Sequence, residues 1–241
     1  MSLVGLWLSI RAGASFRNRW KLDAEAREDF TVILTASLTM LGLMIGFTFS
    51  MAIGRYDQRK NYEAAEANAI GTEYNRTDLL PAADGAKVRA LLKSYVDQRL
   101  QFYDARDADQ LRQIDDSTAR LQSDLWAACL RPAAAAPTAL TALAISGMNA
   151  VLDSQGYTLA AWRNRIPTSA WILMGLISIC CSLMTGYGAR RAQVRAIPFL
   201  ALPLLISISF FLIADIDSPR GGLIRVHPQN LMTTAESFHV H

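Results

Sequence analysis

Three strongly apolar stretches of this sequence carry no charged residue, and each is long enough to cross a membrane as a helix. They are residues 31–54, 169–189 and 196–214, and charged residues flank each of them. The hydrocarbon core of a bilayer is about 30 Å thick, and roughly 20 apolar residues in an α-helix cross it. The sequence therefore predicts an all-α integral membrane protein with three transmembrane helices, and it predicts the bilayer as a partner.

Residues 1–30 form a separate N-terminal segment. Residues 1–10 are apolar, and four basic residues follow before position 22. Ten residues are too few to cross a bilayer, and in a signal peptide the basic residues would come first. We expect an interfacial helix that inserts Leu3, Trp7 and Ile10, with a short or tilted fourth span as the alternative.

Residues 55–168 have the patterning of helices throughout, with no alternating strand pattern. The first helix should continue from the span at 31–54 as far as Pro81. A second helix should open near Asp84, a third should cover residues 107–130 and a fourth residues 138–162. A break is expected at 131–137. Such helices predict a soluble helical bundle. Residues 215–241 should form a polar C-terminal tail.

Small residues recur along the first span. Their spacing of three or four places them on one helix face, and they are Thr31, Thr35, Thr39, Gly42, Gly46, Ser50 and Gly54. One interpretation is close helix–helix packing. The other is a face that lines a pore in an oligomer, where the neighbouring Phe49 and Ile53 form an apolar constriction that gates by dewetting.

Several polar residues outside the spans are candidates for ion or salt-bridge sites. Glu66, Asn68 and Glu73 lie among alanines, and they are either buried and paired, with Arg99 or Arg55, or part of a solvated face.

Near the C-terminus, Asp215 and Asp217 could coordinate a cation. We expect them instead to end the third span and to pair with Arg220, because two carboxylates make a sparse cation site.

Composition excludes several function classes. The net charge of +3 is small and dispersed, so no nucleic-acid partner is expected. Three cysteines without metal-ligand spacing predict neither a disulfide framework nor a zinc site. No phosphate-binding loop, nucleophile elbow or catalytic constellation is present. We therefore expect a protein that is not an enzyme and needs no cofactor or metal.

Six sequence motifs together resemble one protein family. They lie at residues 45–60, 66–72, 78–81, 91–95, 163–167 and 215–226. In combination they are similar to the bestrophin-like family of bacterial membrane proteins, over most of the chain from about Phe30 to Leu231. Related sequences have a full hydrophobic helix before the Phe30 region, and here that helix is cut short.

The resemblance implies an all-helical protein of the bacterial inner membrane with a cytoplasmic middle segment. It also implies a distant relation to bestrophins, which are pentameric anion channels. The chain would then be a homo-oligomer that passes monovalent anions, with residues 31–54 as the pore helix and Phe49 and Ile53 in its neck. The alternative is a non-conducting scaffold or regulator whose helical domain binds a cytoplasmic partner.

Overall fold

The protein is helical over nearly all of the chain that is described. The computed structural model describes residues 3–17, 23–189 and 198–239, and no strand occurs among them. The helices are α1 (Leu3–Phe16), α2 (Ala24–Arg76), a 3₁₀ turn (Thr77–Leu79), α3 (Ala82–Asp104), α4 (Ala108–Ala135), α5 (Ala139–Arg163), α6 (Thr168–Gly188), α7 (Pro198–Asp217) and α8 (Gln229–Ser237). The predicted all-α fold class is confirmed.

Helices α2, α6 and α7 contain the three apolar stretches. Among the described residues, the helical segments long and apolar enough to cross a membrane are Glu25–Leu79, Ala139–Gly188 and Phe199–Asp217. Helix α7 ends at Asp217, three residues beyond the predicted span, and positions 196 and 197 lie outside the described residues. The predicted transmembrane helices are therefore helices in the structure, at nearly the predicted positions.

The chain divides into two compact units. The first unit is Met1–Gly54 with Arg165–Ser218. Its core consists of buried apolar side chains from α1, α2, α6 and α7, namely Leu6, Leu41, Met174, Cys181, Ile206 and Phe210.

Glycines bring α1 and α6 into close contact inside the first unit. A Cβ built on Gly13 would overlap the carbonyl of Leu183, and one built on Gly186 would overlap the carbonyl of Ile10. Only glycine permits such a backbone approach. Ile10, which the sequence predicted to insert into the membrane interface, is therefore buried within the protein. Leu3 and Trp7 are partly exposed, and their insertion stays a prediction.

The second unit is Arg55–Asn164 with Pro219–His241. Helices α3, α4 and α5 pack there with the C-terminal part of α2 and with α8 around one apolar core. Its largest fully buried apolar side chains include Ile70, Leu92, Tyr95, Leu125 and Met148. The predicted helical bundle is thus present, with α8 as an additional member.

Local capping explains where two of these helices begin. The Asp107 side chain accepts a hydrogen bond from the Gln110 N–H at the start of α4. Thr138 and Thr141 form a reciprocal capping box at the start of α5. The break predicted at residues 131–137 is wrong in part, because α4 continues through the buried Pro132 to Ala135. The alanines after Pro132 are strong helix formers and keep the last turn helical.

The C-terminal segment differs from the predicted polar tail. Residues 229–237 form α8, and Leu231 and Phe238 are buried in the core of the second unit. The Phe238 ring stacks on Tyr74 of α2 with 3.8 Å between ring centroids. These two residues contribute to the docking of this short helix, because each buries a large apolar surface.

Candidate functional site

Helix α2 presents three different faces along residues 31–54. The buried face carries Leu41, Thr48 and Ala52, at helical steps of seven and four. A second face carries large exposed apolar side chains, which are Val32, Ile33, Met40, Leu43, Phe47 and Met51. Such a face suits contact with lipid chains. The small residues singled out from the sequence form the third face.

Every member of the small-residue face is exposed in the single chain. A Cβ built on Gly42, Gly46 or Gly54 meets no described atom within 4 Å. The hydroxyls of Thr35 and Thr39 bond to carbonyls one turn back in their own helix, at 2.8 and 2.9 Å. Packing of this face against another helix of the same chain therefore does not occur among the described residues.

The two apolar residues predicted to form a constriction lie at the C-terminal end of this face. Gly46, Phe49, Ser50 and Ile53 follow the spacing i, i+3, i+4 and i+7, so they share one side of α2. Phe49 is half-buried, whereas Ile53 is 38 % exposed. The structure thus places bulky apolar side chains directly beside the small residues.

Beyond residue 54, the same helix carries a row of buried charged side chains within the second unit. Arg59, Glu63, Glu66 and Glu73 lie on one face, and none is more than 2 % exposed. Sequence reasoning selected Glu66 and Glu73 and missed Arg59 and Glu63. The spacing of four, three and seven residues was a signal that could have identified the whole row.

Glu66 pairs with Arg99 of α3, and both side chains are completely buried. The Arg99 Nε donates to Glu66 Oε1, its Nη2 donates to Oε2 at 3.3 Å, and the Thr158 hydroxyl donates to Oε2 at 2.8 Å. Burial alone would lower the pKa of Arg99. The charge and hydrogen bonds of Glu66 act in the opposite direction, and the pKa of Arg99 lies above its ordinary value. The sequence left burial and solvation equally open for Glu66, and in the structure it is buried with Arg99 as its partner.

Arg59 and Glu63 each cap a helix end. The Arg59 guanidinium donates to the carbonyls of Ala161 and Asn164, both at 3.3 Å, at the C-terminus of α5. The Glu63 carboxylate accepts from the Leu231 N–H at 2.9 Å and from Asn230 Nδ2 at 2.6 Å, at the N-terminus of α8. Each charge has the sign that the helix dipole favours at that end.

Replacing Glu63 with glutamine is expected to loosen α8. The substitution turns two charge-assisted hydrogen bonds into neutral ones and should cost about 1–2 kcal/mol. Hydrogen exchange should report faster exchange of the α8 amides, at Leu231 first. Glu236→Gln, at an exposed position on α8 itself, is the matched control. Equal exchange in the two variants would contradict the capping role.

Glu73 is buried but differs from Glu66 in having no hydrogen-bond partner for either oxygen within the described part of the chain. Burial raises the pKa of Glu73 to about 8, and the nearby Arg76 lowers it by a smaller amount. Asn68, the third member of the predicted cluster, is exposed. The structure therefore separates three residues that the sequence grouped together.

Asp215 and Asp217 at the end of α7 are both buried. Both carboxylate oxygens of Asp217 accept from the Ile166 N–H at 3.1 Å, which fixes the chain just before α6. Their pairing with Arg220 stays a prediction.

Within the second unit, Arg220 donates to the carbonyls of Phe102 and Ala105 at 2.7 and 2.9 Å. Its guanidinium lies over the rings of Phe102 and Trp162, at 4.4 and 4.5 Å from their centroids. Arg220 thus caps the C-terminus of α3 while it stacks on two aromatic rings.

One long helix, α2, thus carries both an exposed small-residue face and a buried charged row. The family model of the bestrophin-like domain matches residues 7–231. The chain therefore belongs to the bestrophin-like family, and the resemblance drawn from its motifs is confirmed. No curated protein shows significant sequence similarity to the chain.

Solved structures share the fold. A bacterial bestrophin homologue from Klebsiella pneumoniae carrying one substitution is similar with a TM-score of 0.70 and 13 % identity, over 98 % of this chain and 95 % of that one. The homologue solved by zinc phasing gives a TM-score of 0.68 at 14 % identity, over 98 % and 94 %. Identities this low establish the fold and not the activity.

Proposed function

We propose that this protein is an oligomeric ion channel whose pore is lined by residues 31–54 of α2. One observation supports the proposal above others: the small-residue face is exposed in the single chain, although it lies on a helix whose opposite side is buried. Thr35, Thr39 and Ser50 supply hydroxyls to this face, and Gly42 and Gly46 add no side chain to it. A ring of subunits would turn this face toward a common axis.

Each part of the face has a role in conduction. Hydroxyl groups can replace part of the water around a permeating ion, and they do so for ions of either sign. Phe49 and Ile53 would form the constriction, because a ring of apolar side chains excludes water when it narrows. The relation to bestrophins favours monovalent anions, a location in the bacterial inner membrane, and a cytoplasmic second unit.

A non-conducting scaffold or regulator is the second candidate. The same small-residue face would then pack against a helix of another subunit, as glycine and threonine faces do in membranes. The two functions differ in whether water reaches the face of the assembled protein.

Cysteine accessibility distinguishes the two. In a chain with Cys129, Cys180 and Cys181 replaced by serine, Ser50→Cys places a thiol on the small-residue face. A charged thiol-specific reagent should then reduce chloride efflux from liposomes about tenfold, because the adduct blocks a narrow pore. Met51→Cys, on the exposed apolar face, should leave the efflux unchanged.

The size of the detergent-solubilised protein completes this test. A channel requires a ring, so a monomer would contradict the proposal. A ring that gives no efflux before modification, and whose Ser50→Cys thiol does not react, supports the scaffold instead. The reversal potential in a chloride gradient reports whether anions carry the current, and a cation-selective current would overturn the anion assignment alone.

A further inference from the structure

Glu73 is a carboxyl group enclosed in the second unit. It lies on α2, three residues before that helix ends, and it is completely buried. Neither of its oxygens has a hydrogen-bond partner within the described residues. A buried ionised carboxylate without partners is very costly, so this position favours the neutral acid.

The packing around this carboxyl depends on a glycine of α5. A Cβ built on Gly147 would overlap Glu73 Oε2 and would lie 2.5 Å from Nη1 of the Arg76 guanidinium. The Glu73 side chain thus fills the space that a larger residue at position 147 would occupy. The contact between α2 and α5 consequently has no room for a hydration shell around a charged carboxylate.

Few charged groups face this carboxyl. Arg76 on α2 itself lowers the pKa of Glu73, and from α4 the thiol of Cys129 interacts with it electrostatically. Helix α5 contributes Gly147, which has no side chain. From α3, the cations of Arg89 and Lys93 lie over the Tyr74 ring, at 5.7 and 5.9 Å from its centroid.

We propose that Glu73 is a proton-operated latch, which holds α2 against α5 while it is protonated and opens this contact when it ionises. In the closed state, the Glu73 carboxyl is protonated and uncharged, so it can pack between α2 and α5 without water. The ionised state needs water, which reaches Glu73 only if α2 and α5 separate around Gly147.

The direction of the pH dependence follows from where the proton binds more tightly. Burial raises the pKa of Glu73 from an ordinary 4.5 to about 8. The folded state therefore holds the proton more tightly than the unfolded chain, and the contact weakens as the pH rises through this window. About a tenth of the groups are ionised at pH 7, and about nine-tenths are ionised at pH 9.

Cys129 provides the readout, since it is fully buried beside Glu73. In the 241-residue chain with Cys180→Ser and Cys181→Ser, held in lipid nanodiscs, it is the one thiol left. Its rate of maleimide modification is measured from pH 6 to pH 9 with native Glu73 and with Glu73→Gln. The ratio of the two rates should rise by about tenfold or more between pH 6 and pH 8, and it should level off above pH 8, where Glu73 is ionised in the closed contact as well.

The direction of this ratio separates opening from simple electrostatics. Burial and the charge of Glu73 together raise the pKa of Cys129 to about 12. An ionised Glu73 in a contact that stays closed would therefore slow the reaction and lower the ratio. A ratio that stays constant, or that falls as the pH rises, overturns the proposal.

The native chain alone supplies a second measurement that depends on no variant. Hydrogen exchange at α5 around Gly147, corrected for the intrinsic effect of pH, should speed up about tenfold between pH 6 and pH 9. The α3 amides from Val88 to Val96 are the internal control and should keep their protection. Unchanged protection around Gly147 overturns the latch even where Glu73→Gln does not fold.

Discussion

Replacing Glu66 with glutamine should destabilise the second unit by about 3–5 kcal/mol, because it leaves the cation of Arg99 buried without its counter-charge. The Arg99 side chain is completely buried, so water cannot replace the lost carboxylate. Thr158 would also lose a charged acceptor for its hydroxyl. In a chain of this size, the apparent Tm in detergent should fall by roughly 10 °C.

Two further variants test the reason for this loss. Replacing both Glu66 and Arg99 with methionine removes both charges, so most of the lost stability should return. Asp109→Asn breaks the exposed ion pair with Arg112 on α4, and the Tm should then stay the same within error. A Glu66→Gln variant as stable as Asp109→Asn would show that the buried pair does not hold the bundle together.

The membrane helices were the most predictable part of the fold. Hydrophobicity and length alone placed α2, α6 and α7, because a bilayer imposes the same minimum length on every spanning helix. The continuation of α2 beyond residue 54 was predictable too, since no proline or glycine cluster interrupts it before Pro81. Both features are determined by residues that are close together in the sequence.

Features that depend on distant residues were harder to predict. The docking of α8 requires Glu63 at its N-terminus and Tyr74 beside Phe238, and both partners lie more than 150 positions away. The α1–α6 contact requires that Gly13 and Gly186 meet the other helix, which no local pattern shows.

The candidate sites show the same division. The small-residue face was visible from spacing, and all of its members lie on α2, where a spacing of three or four residues puts them on one side. For Glu66 and Glu73, burial and solvation were equally consistent with the sequence pattern. Only the positions of Arg99 and Gly147 show that the first carboxyl is paired and the second is not. A pore along this face would require several copies of the chain, so ion conduction stays a prediction.

Replacing Gly186 with alanine should detach α1 from α6. The added Cβ would overlap the carbonyl of Ile10, and a backbone atom cannot rotate away as a side chain can. Overpacking of this kind costs about 1–3 kcal/mol, and here the two helices must separate to relieve it. The apparent Tm should fall by several degrees, and the amides of α1 should exchange faster.

Gly156→Ala on α5 is the matched control, because a Cβ at that exposed position meets no described atom within 4 Å. Alanine is the better helix former by about 1 kcal/mol, so this variant should be as stable as the native chain or more stable. Each substitution adds one methyl group to a helix, and only the methyl group at position 186 meets backbone atoms of another helix. If both variants gain stability, α1 does not depend on the close approach at Gly186.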